Sequence, residues 1–184
     1  MKESTRIGVQ GHGVPVTLIR TGRLHLREME TGDAAFILDL LNQPGFLQFI
    51  GDRGVRSVQQ AATFIEERYR RSYRDHGYGL YVVADATDGT PMGMCGFVRR
   101  DTLPHADIGF ALLPRYEGRG IAFEAASATL TFGRSTLGLS RILAVVQSDN
   151  VRSQRLLGRL GFAHSGAVAL SVGEPALLLY ASDA

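Results

Sequence analysis

Eleven consecutive residues, Leu112-Leu113-Pro114-Arg115-Tyr116-Glu117-Gly118-Arg119-Gly120-Ile121-Ala122, have the makings of an anion-binding loop. An apolar, strand-like run leads into them, two glycines stand one residue apart, and an alanine-rich helical stretch follows. Successive backbone N–H groups in such a loop, together with the positive end of the helix dipole, form a pocket for phosphate. Glycine is needed where a side chain would keep a phosphate oxygen away from the backbone. Arg115 and Arg119 add positive charge at the rim. A nucleotide-hydrolysing loop would place Gly-Lys-Ser/Thr at the helix entry, and Gly120-Ile121-Ala122 stands there instead, which excludes that chemistry. The dinucleotide pattern wants a small residue three positions after Gly120, where Phe123 stands. The residues themselves leave two readings open, a cradle for another phosphate ligand or a glycine turn without one.

The elements that must hold this loop are legible on both sides of it. Thr17 to Arg27 alternates like a half-buried strand. Asp33 is a candidate N-cap for a helix carrying Phe36, Ile37, Leu40 and Leu41, which Pro44 and Gly45 stop. Ser57, with Gln60 three residues on, opens a second helix striped by Val58, Ala61, Ala62, Ile65 and Tyr69. Tyr78 to Asp85 and Pro91 to Arg99 make a hairpin around Ala-Thr-Asp-Gly-Thr, and Ala106 to Leu113 is the strand that feeds the loop. A helix from Gly120 to about Thr136, a strand from Ile142 to Gln147 and a helix from Asn150 to Leu160 follow. Strands near Ala163 to Val172 and Pro175 to Tyr180 close the chain. This order predicts an α+β (α/β) single domain over residues 17–184, with about seven strands in a mixed sheet and about four helices. Residues 1–16, with Gly8, Gly11, Gly13 and Pro15, read as a flexible N-terminal arm.

Composition narrows the function further. With 184 residues the chain is close to one domain at roughly 150 residues each, large enough to bury a core without disulfides or metal. Lys+Arg 20 against Asp+Glu 18 gives +2, too balanced for a polyanion binder. The run Glu66-Glu67-Arg68 with Arg70, Arg71 and Arg74 reads as a solvated helix face with i,i+4 pairs, not as a nucleic-acid patch. The single cysteine, Cys95, excludes an internal disulfide and a cysteine-built zinc site. It lies in an apolar run with no histidine close in sequence, so it reads as a buried small hydrophobe and not as a nucleophile. The histidines fall in no metal-ligand spacing, so no metal is expected, and only His105, two residues from Asp107, stands near the loop's strand. No signal-peptide or membrane-span run is present, so the chain is expected to be cytoplasmic with no membrane partner.

Arg115-x-x-Gly118-x-Gly120 resembles the pyrophosphate-loop pattern of the GNAT superfamily of acetyl-CoA-dependent N-acetyltransferases. The segment from Asn150 to Phe162 is similar to that superfamily's second coenzyme motif. Ile19 to Arg27, Ala106 to Leu112 and Ile121 to Ala125 resemble one branch, the ribosomal-protein N-terminal acetyltransferases (Rim-type). The match runs from about residue 17 to 180, in order. The resemblance implies a strongly twisted mixed sheet, acetyl-CoA as cosubstrate without a metal, and direct transfer of acetyl to a primary amine. Main-chain groups at Phe110 and Leu112 would then meet the pantetheine arm, and the backbone of Gly118, Arg119, Gly120 and Ile121, beside Arg115, would hold the pyrophosphate. Asn150 matches the family asparagine near the coenzyme sulphur, although it is also an N-cap. Ser153 is either a second coenzyme contact or a small packing residue.

Two departures bear on the acceptor. Asp107 stands where relatives often carry a glutamate that deprotonates the amine; one methylene shorter, it points to a bridging water, or else it is a strand carboxylate without catalytic part. Where many members have a tyrosine that protonates the leaving thiolate, this chain has Leu157. At pH 7 an α-amine (pKa about 8) is roughly 10% neutral, whereas a lysine amine is neutral about four times in ten thousand. A lightly equipped site therefore favours a peptide N-terminus or another α-amine over a lysine side chain. A small-molecule amine and a catalytically weak coenzyme-binding module are the alternatives. Glu28, Glu30, Asp33, Asp52 and Arg53 either line the acceptor groove or are surface charges. Monomer and homodimer are equally compatible with the sequence.

Overall fold

The computed structural model describes residues 17–183, so the arm expected over residues 1–16 lies outside the described residues. The stretch expected as one opening strand is a hairpin, β1 (Thr17–Arg20) and β2 (Leu24–Arg27), with Arg20 opposite His25. Thr21 makes the turn, its N–H donating to Leu24 O at 2.9 Å and its hydroxyl accepting from Leu24 N–H at 3.0 Å. The shared parity of Leu18, Arg20, Gly22, Leu24 and Leu26 reads as one strand, but the core takes Ile19 from β1 and Leu24 and Leu26 from β2, so the buried parity switches at the turn and the sheet has eight strands where seven were expected.

Helix α1 (Ala34–Leu41) follows a short 3₁₀ turn. Asp33 holds the N-cap position, but its carboxylate serves Arg27 (2.7 and 2.8 Å) and the amide of Glu30 (2.9 Å) instead of the helix amides. Pro44 does not end the helical region; it starts α2 (Pro44–Phe49) at a first-turn position, where its missing N–H has no partner to lose. Ser57 caps α3 (Val58–Phe64) as expected, accepting from Gln60 N–H at 3.2 Å. The helix then loosens into a π-helical segment (Ile65–Arg70) and continues as α4 (Arg71–His76). Ala61, Ile65 and Tyr69 bury the expected stripe, while Val58 at its start is 52% exposed. The charged run forms the expected exposed pairs, Arg70–Glu66 at 2.8 Å and Arg71–Asp75 at 3.1 Å.

Strands β3 (Leu80–Asp85), β4 (Pro91–Val98) and β5 (Asp107–Leu112) lead to α5 (Ile121–Ser135). Then come β6 (Arg141–Val146), α6 (Val151–Arg159), β7 (Ala163–Val168) and β8 (Leu177–Asp183). One sheet in the order β1-β2-β3-β4-β5-β6-β8-β7 results, antiparallel throughout except between β5 and β6. Helices α5 and α6 cover one face through Ala125, Ala126, Leu130 and Leu157, packed on Leu24, Tyr81, Phe97 and Ile142. Helices α1 and α3 cover the other through Ile37, Leu40 and Ala61 on Val82, Ala84 and Met94. A mixed sheet between helical layers bears out the expected fold class.

Within α5, Gly133 exists for packing. A Cβ there would stand 2.4 Å from Cζ and 2.8 Å from Cε2 of the fully buried Phe97 ring. Gly133→Ala is therefore expected to cost about 1–3 kcal/mol in overpacking and to recover ~1 kcal/mol because alanine is the better helix former, a net destabilisation of up to about 2 kcal/mol. The thermal midpoint falls by about 2–4 °C per kcal/mol in a chain of this size; a rise in that midpoint would contradict the packing.

Candidate active site

The parallel pair β5–β6 holds together at one register position, Asp107 opposite Leu143, with Leu143 N–H donating to Ala106 O at 2.9 Å. Beyond it the strands part. Main-chain orientation along β5 follows from its other neighbour: Leu113 N–H donates to Met92 O at 2.9 Å, and antiparallel pairing alternates. Ala111 and Gly109 thus spend their main-chain groups on β4, whereas Ile108, Phe110 and Leu112 turn theirs toward the side where β6 has separated. Past the Asp107 bridge, the N–H and C=O groups of Phe110 and Leu112 line an open gap, and β5 is only half-buried from Gly109 onward. A strand edge of this kind pairs with any extended chain that offers amides in return.

The glycine loop closes the far end of β5. A 3₁₀ turn (Pro114–Tyr116) carries the chain off the strand, and Gly118 (φ 73°) and Gly120 (φ 76°) both take the left-handed conformation that residues with a Cβ resist. Gly120 is the N-cap of α5, which no side chain caps. The first α5 amide with a helical partner is that of Glu124, 3.0 Å from Gly120 O. Those of Ile121, Ala122 and Phe123 have none, as in the first turn of any helix. The amides of Gly118, Arg119 and Gly120 also donate to no protein oxygen among the described residues. A run of free donors at the positive end of a 15-residue helix is an anion site in form and in sign.

Three ties fix the loop. Arg115 reaches Asp39 of α1 at 3.6 Å and lies over the Tyr116 ring at 5.1 Å. Glu117 accepts from Arg152 of α6 at 2.7 Å, spanning the mouth of the gap. Arg23, from the β1–β2 turn, donates to Arg119 O at 3.3 Å and pairs with Glu124 at 2.6 Å. On the β6 side Asn150 caps α6, its Oδ1 accepting from Ser153 N–H at 3.1 Å, which leaves its Nδ2 as the donor for other use. Leu157, two turns into α6, is 1% exposed and part of the core, so nothing polar stands at that position.

Asp107 sits where the gap closes. It is 1% exposed, and Arg100 Nε donates to its Oδ1 at 2.9 Å. Burial pushes its carboxyl above the ordinary carboxylate range, and the charge and hydrogen bond of Arg100 partly offset that. His105 instead lines a crevice of about 210 Å³ with Tyr78, Arg99, Ser140 and Arg141, at the end of β5 remote from the loop. Cys95 is buried, as expected. Asp52, paired with Arg56, is an exposed surface charge.

The GNAT acetyltransferase domain model matches residues 23–163, more than half of the chain. The chain belongs to the GNAT acetyltransferase family. It is 30% identical over 152 residues to the uncharacterized N-acetyltransferase YoaA of Bacillus subtilis (strain 168), covering 82% of this chain and 85% of that one. It is also 31% identical over 91 residues to the [Ribosomal protein uS5]-alanine N-acetyltransferase of Escherichia coli (strain K12), 48% of this chain and 45% of that one. Among solved structures, an acetyltransferase from Agrobacterium tumefaciens str. C58 superposes with a TM-score of 0.77 at 22% identity, over 96% of this chain and 100% of that one. This GNAT enzyme is thus an N-acetyltransferase, and its cosubstrate is acetyl-CoA, as the sequence led us to expect. Among the described residues no group of three or more His, Cys, Asp or Glu is placed to hold a metal, and no helix is long and apolar enough to cross a membrane.

Of the positions singled out in the acetyltransferase sequence, Phe110 and Leu112 lie on the open edge of β5, Arg115, Gly118, Arg119, Gly120 and Ile121 form the loop at its end, and Asn150 and Ser153 open α6, whose Arg152 reaches that loop. Asp107 lies at the gap's closed end. Sequence reading missed the loop's ties to Arg23, Asp39 and Arg152. Arg23 and Glu124 each lie in a segment that resembles the family, but nothing local joins residues 101 positions apart.

Proposed function

We propose that this GNAT enzyme acetylates the α-amine of a protein or peptide N-terminus. In this reading the pantetheine arm pairs with Phe110 and Leu112 in the gap, and the diphosphate rests on the amides of Gly118, Arg119, Gly120 and Ile121, beside Arg115. Asn150 Nδ2 and Ser153 face the coenzyme from α6. A main-chain N–H on the open edge of β5 is available to the thioester oxygen, on which negative charge builds as the amine attacks. Asp107 accepts the amine's proton through a water, because its buried, Arg100-bound carboxylate cannot reach an acceptor directly. The thiolate leaves without a dedicated acid, Leu157 being apolar.

The observation that carries the choice of acceptor is this sparse machinery: one shielded carboxylate and no acid suit an amine already about 10% neutral at pH 7. The similarity to the uS5-alanine enzyme supports the same class. Acetyl-CoA at about 100 times its dissociation constant should first add about 2.7 kcal/mol of stability. Thiol release is then measured with peptides bearing a free N-terminus, with N-blocked lysine peptides and with polyamines. Free N-termini are expected to react fastest; faster polyamine turnover would assign a small-molecule enzyme, and no turnover with any amine would assign a coenzyme-binding module.

A further inference from the structure

The β1–β2 turn reaches the glycine loop through Arg23. Its Nε donates to Glu124 Oε2 at 2.8 Å, its Nη2 lies 2.6 Å from the same oxygen, and its Nη1 donates to Arg119 O at 3.3 Å. Thr21 fixes the other carboxylate oxygen, its hydroxyl donating to Glu124 Oε1 at 2.5 Å. Burial pushes the Glu124 carboxyl up, but the hydrogen bonds from Thr21 and Arg23 and the Arg23 charge outweigh it and hold the carboxyl below its ordinary range, so the anchor stays ionised. A guanidinium carries five N–H groups. These contacts use three, so two remain, and the side chain is 57% exposed.

The two free N–H groups, one on Nη1 and one on Nη2, stand beside the glycine loop. Arg23 Nη2 lies 3.7 Å from where a Cβ on Gly120 would stand, and nothing else comes within 4 Å of that point. The loop's own arginines are turned elsewhere, Arg115 to Asp39 and Arg119 over the Tyr116 ring at 5.9 Å. We propose that Arg23 is itself a ligand of the coenzyme diphosphate, its two free N–H groups extending the row of loop amides, with Thr21 and Glu124 as the residues that aim it. This rests on the loop's being the diphosphate cradle.

The test compares three thioesters by their protection of the protein against thermal unfolding: acetyl-CoA, acetyl-dephospho-CoA, which keeps the diphosphate without the 3′-phosphate, and S-acetylpantetheine, which has neither. Arg23→Gln is expected to weaken the first two about tenfold, the loss of one charge-assisted hydrogen-bonding group, and the third by less than about twofold on the same grounds. Equal losses with all three would make Arg23 a brace of the whole fold, a loss with the first two that does not shrink as salt rises from about 0.05 to about 0.5 M would make it a brace of the loop through Arg119 O, no loss would remove it from the site, and a loss confined to acetyl-CoA would place it on the 3′-phosphate; each overturns the proposal. If R23Q melts too low to assay, Arg23→Lys keeps the cation without the fork and is expected to lose about threefold with the two diphosphate thioesters, equal losses or none again overturning it. A wild-type protein unprotected by acetyl-CoA sinks the cradle itself, a failure seen before any variant is compared.

Discussion

Replacing both loop glycines, Gly118→Val with Gly120→Val, is expected to reduce acetyl-CoA affinity at least about a hundredfold, or about 2.7 kcal/mol. The reason is conformational. No atom lies within 4 Å of a Cβ at Gly118, and at Gly120 only Arg23 Nη2 does, at 3.7 Å, so space is not the obstacle. Both residues sit at positive φ, 73° and 76°, where a β-branched side chain is a genuine outlier costing of order 1–3 kcal/mol at each position. The chain relieves this by rotating the 118–121 peptides, and their amides then no longer converge. Because the loop is exposed and tied to the fold by side chains at Arg115, Glu117 and the Arg23–Glu124 pair, the protein should still fold. Calorimetry with acetyl-CoA beside a melting curve separates the two effects. Unchanged affinity in the double variant would show that the diphosphate rests elsewhere.

The second large effect concerns Asp107. If its carboxylate takes the amine's proton, Asp107→Asn should lower kcat/KM at pH 7 by about a hundredfold, the lower end for general base catalysis. Asparagine keeps an oxygen for Arg100 Nε and leaves the packing nearly intact. The deficit should shrink as pH approaches 9, since an α-amine of pKa about 8 then deprotonates unaided. The wild-type enzyme should behave oppositely at the acid end. Burial holds the Asp107 carboxyl above the ordinary range, so on acidification it is protonated, and activity lost, at a higher pH than a surface aspartate would allow. A purely structural Asp107 predicts instead an equal loss at every pH together with a lower melting point. A pH profile of D107N matching wild type in shape would remove Asp107 from the chemistry and leave it as the buried partner of Arg100 in the β4–β5 connection.

The contrast between these residues shows what each level of description settles. The loop was readable from the chain alone because an amide cradle is built by one contiguous segment: glycines at fixed offsets and a helix start carry its whole signal. The succession of strands and helices was readable for the same local reason, and the errors were local too. Leu18, Arg20, Gly22, Leu24 and Leu26 share a parity that reads as one strand although the core takes Ile19, and Pro44 reads as a stop although it equally fits a first helical turn. By contrast, the spread of β5 from β6, the aim of the Phe110 and Leu112 amides into it, and the burial of Asp107 against Arg100 depend on which strands become neighbours and in what register. The Arg23–Glu124 contact likewise joins groups 101 residues apart. The sequence by itself determined the family, the glycine loop at a helix start and the order of elements, since these are properties of short segments. Only the tertiary structure decided which groups face the gap and which are spent inside the fold, because register and burial arise between segments and belong to none of them.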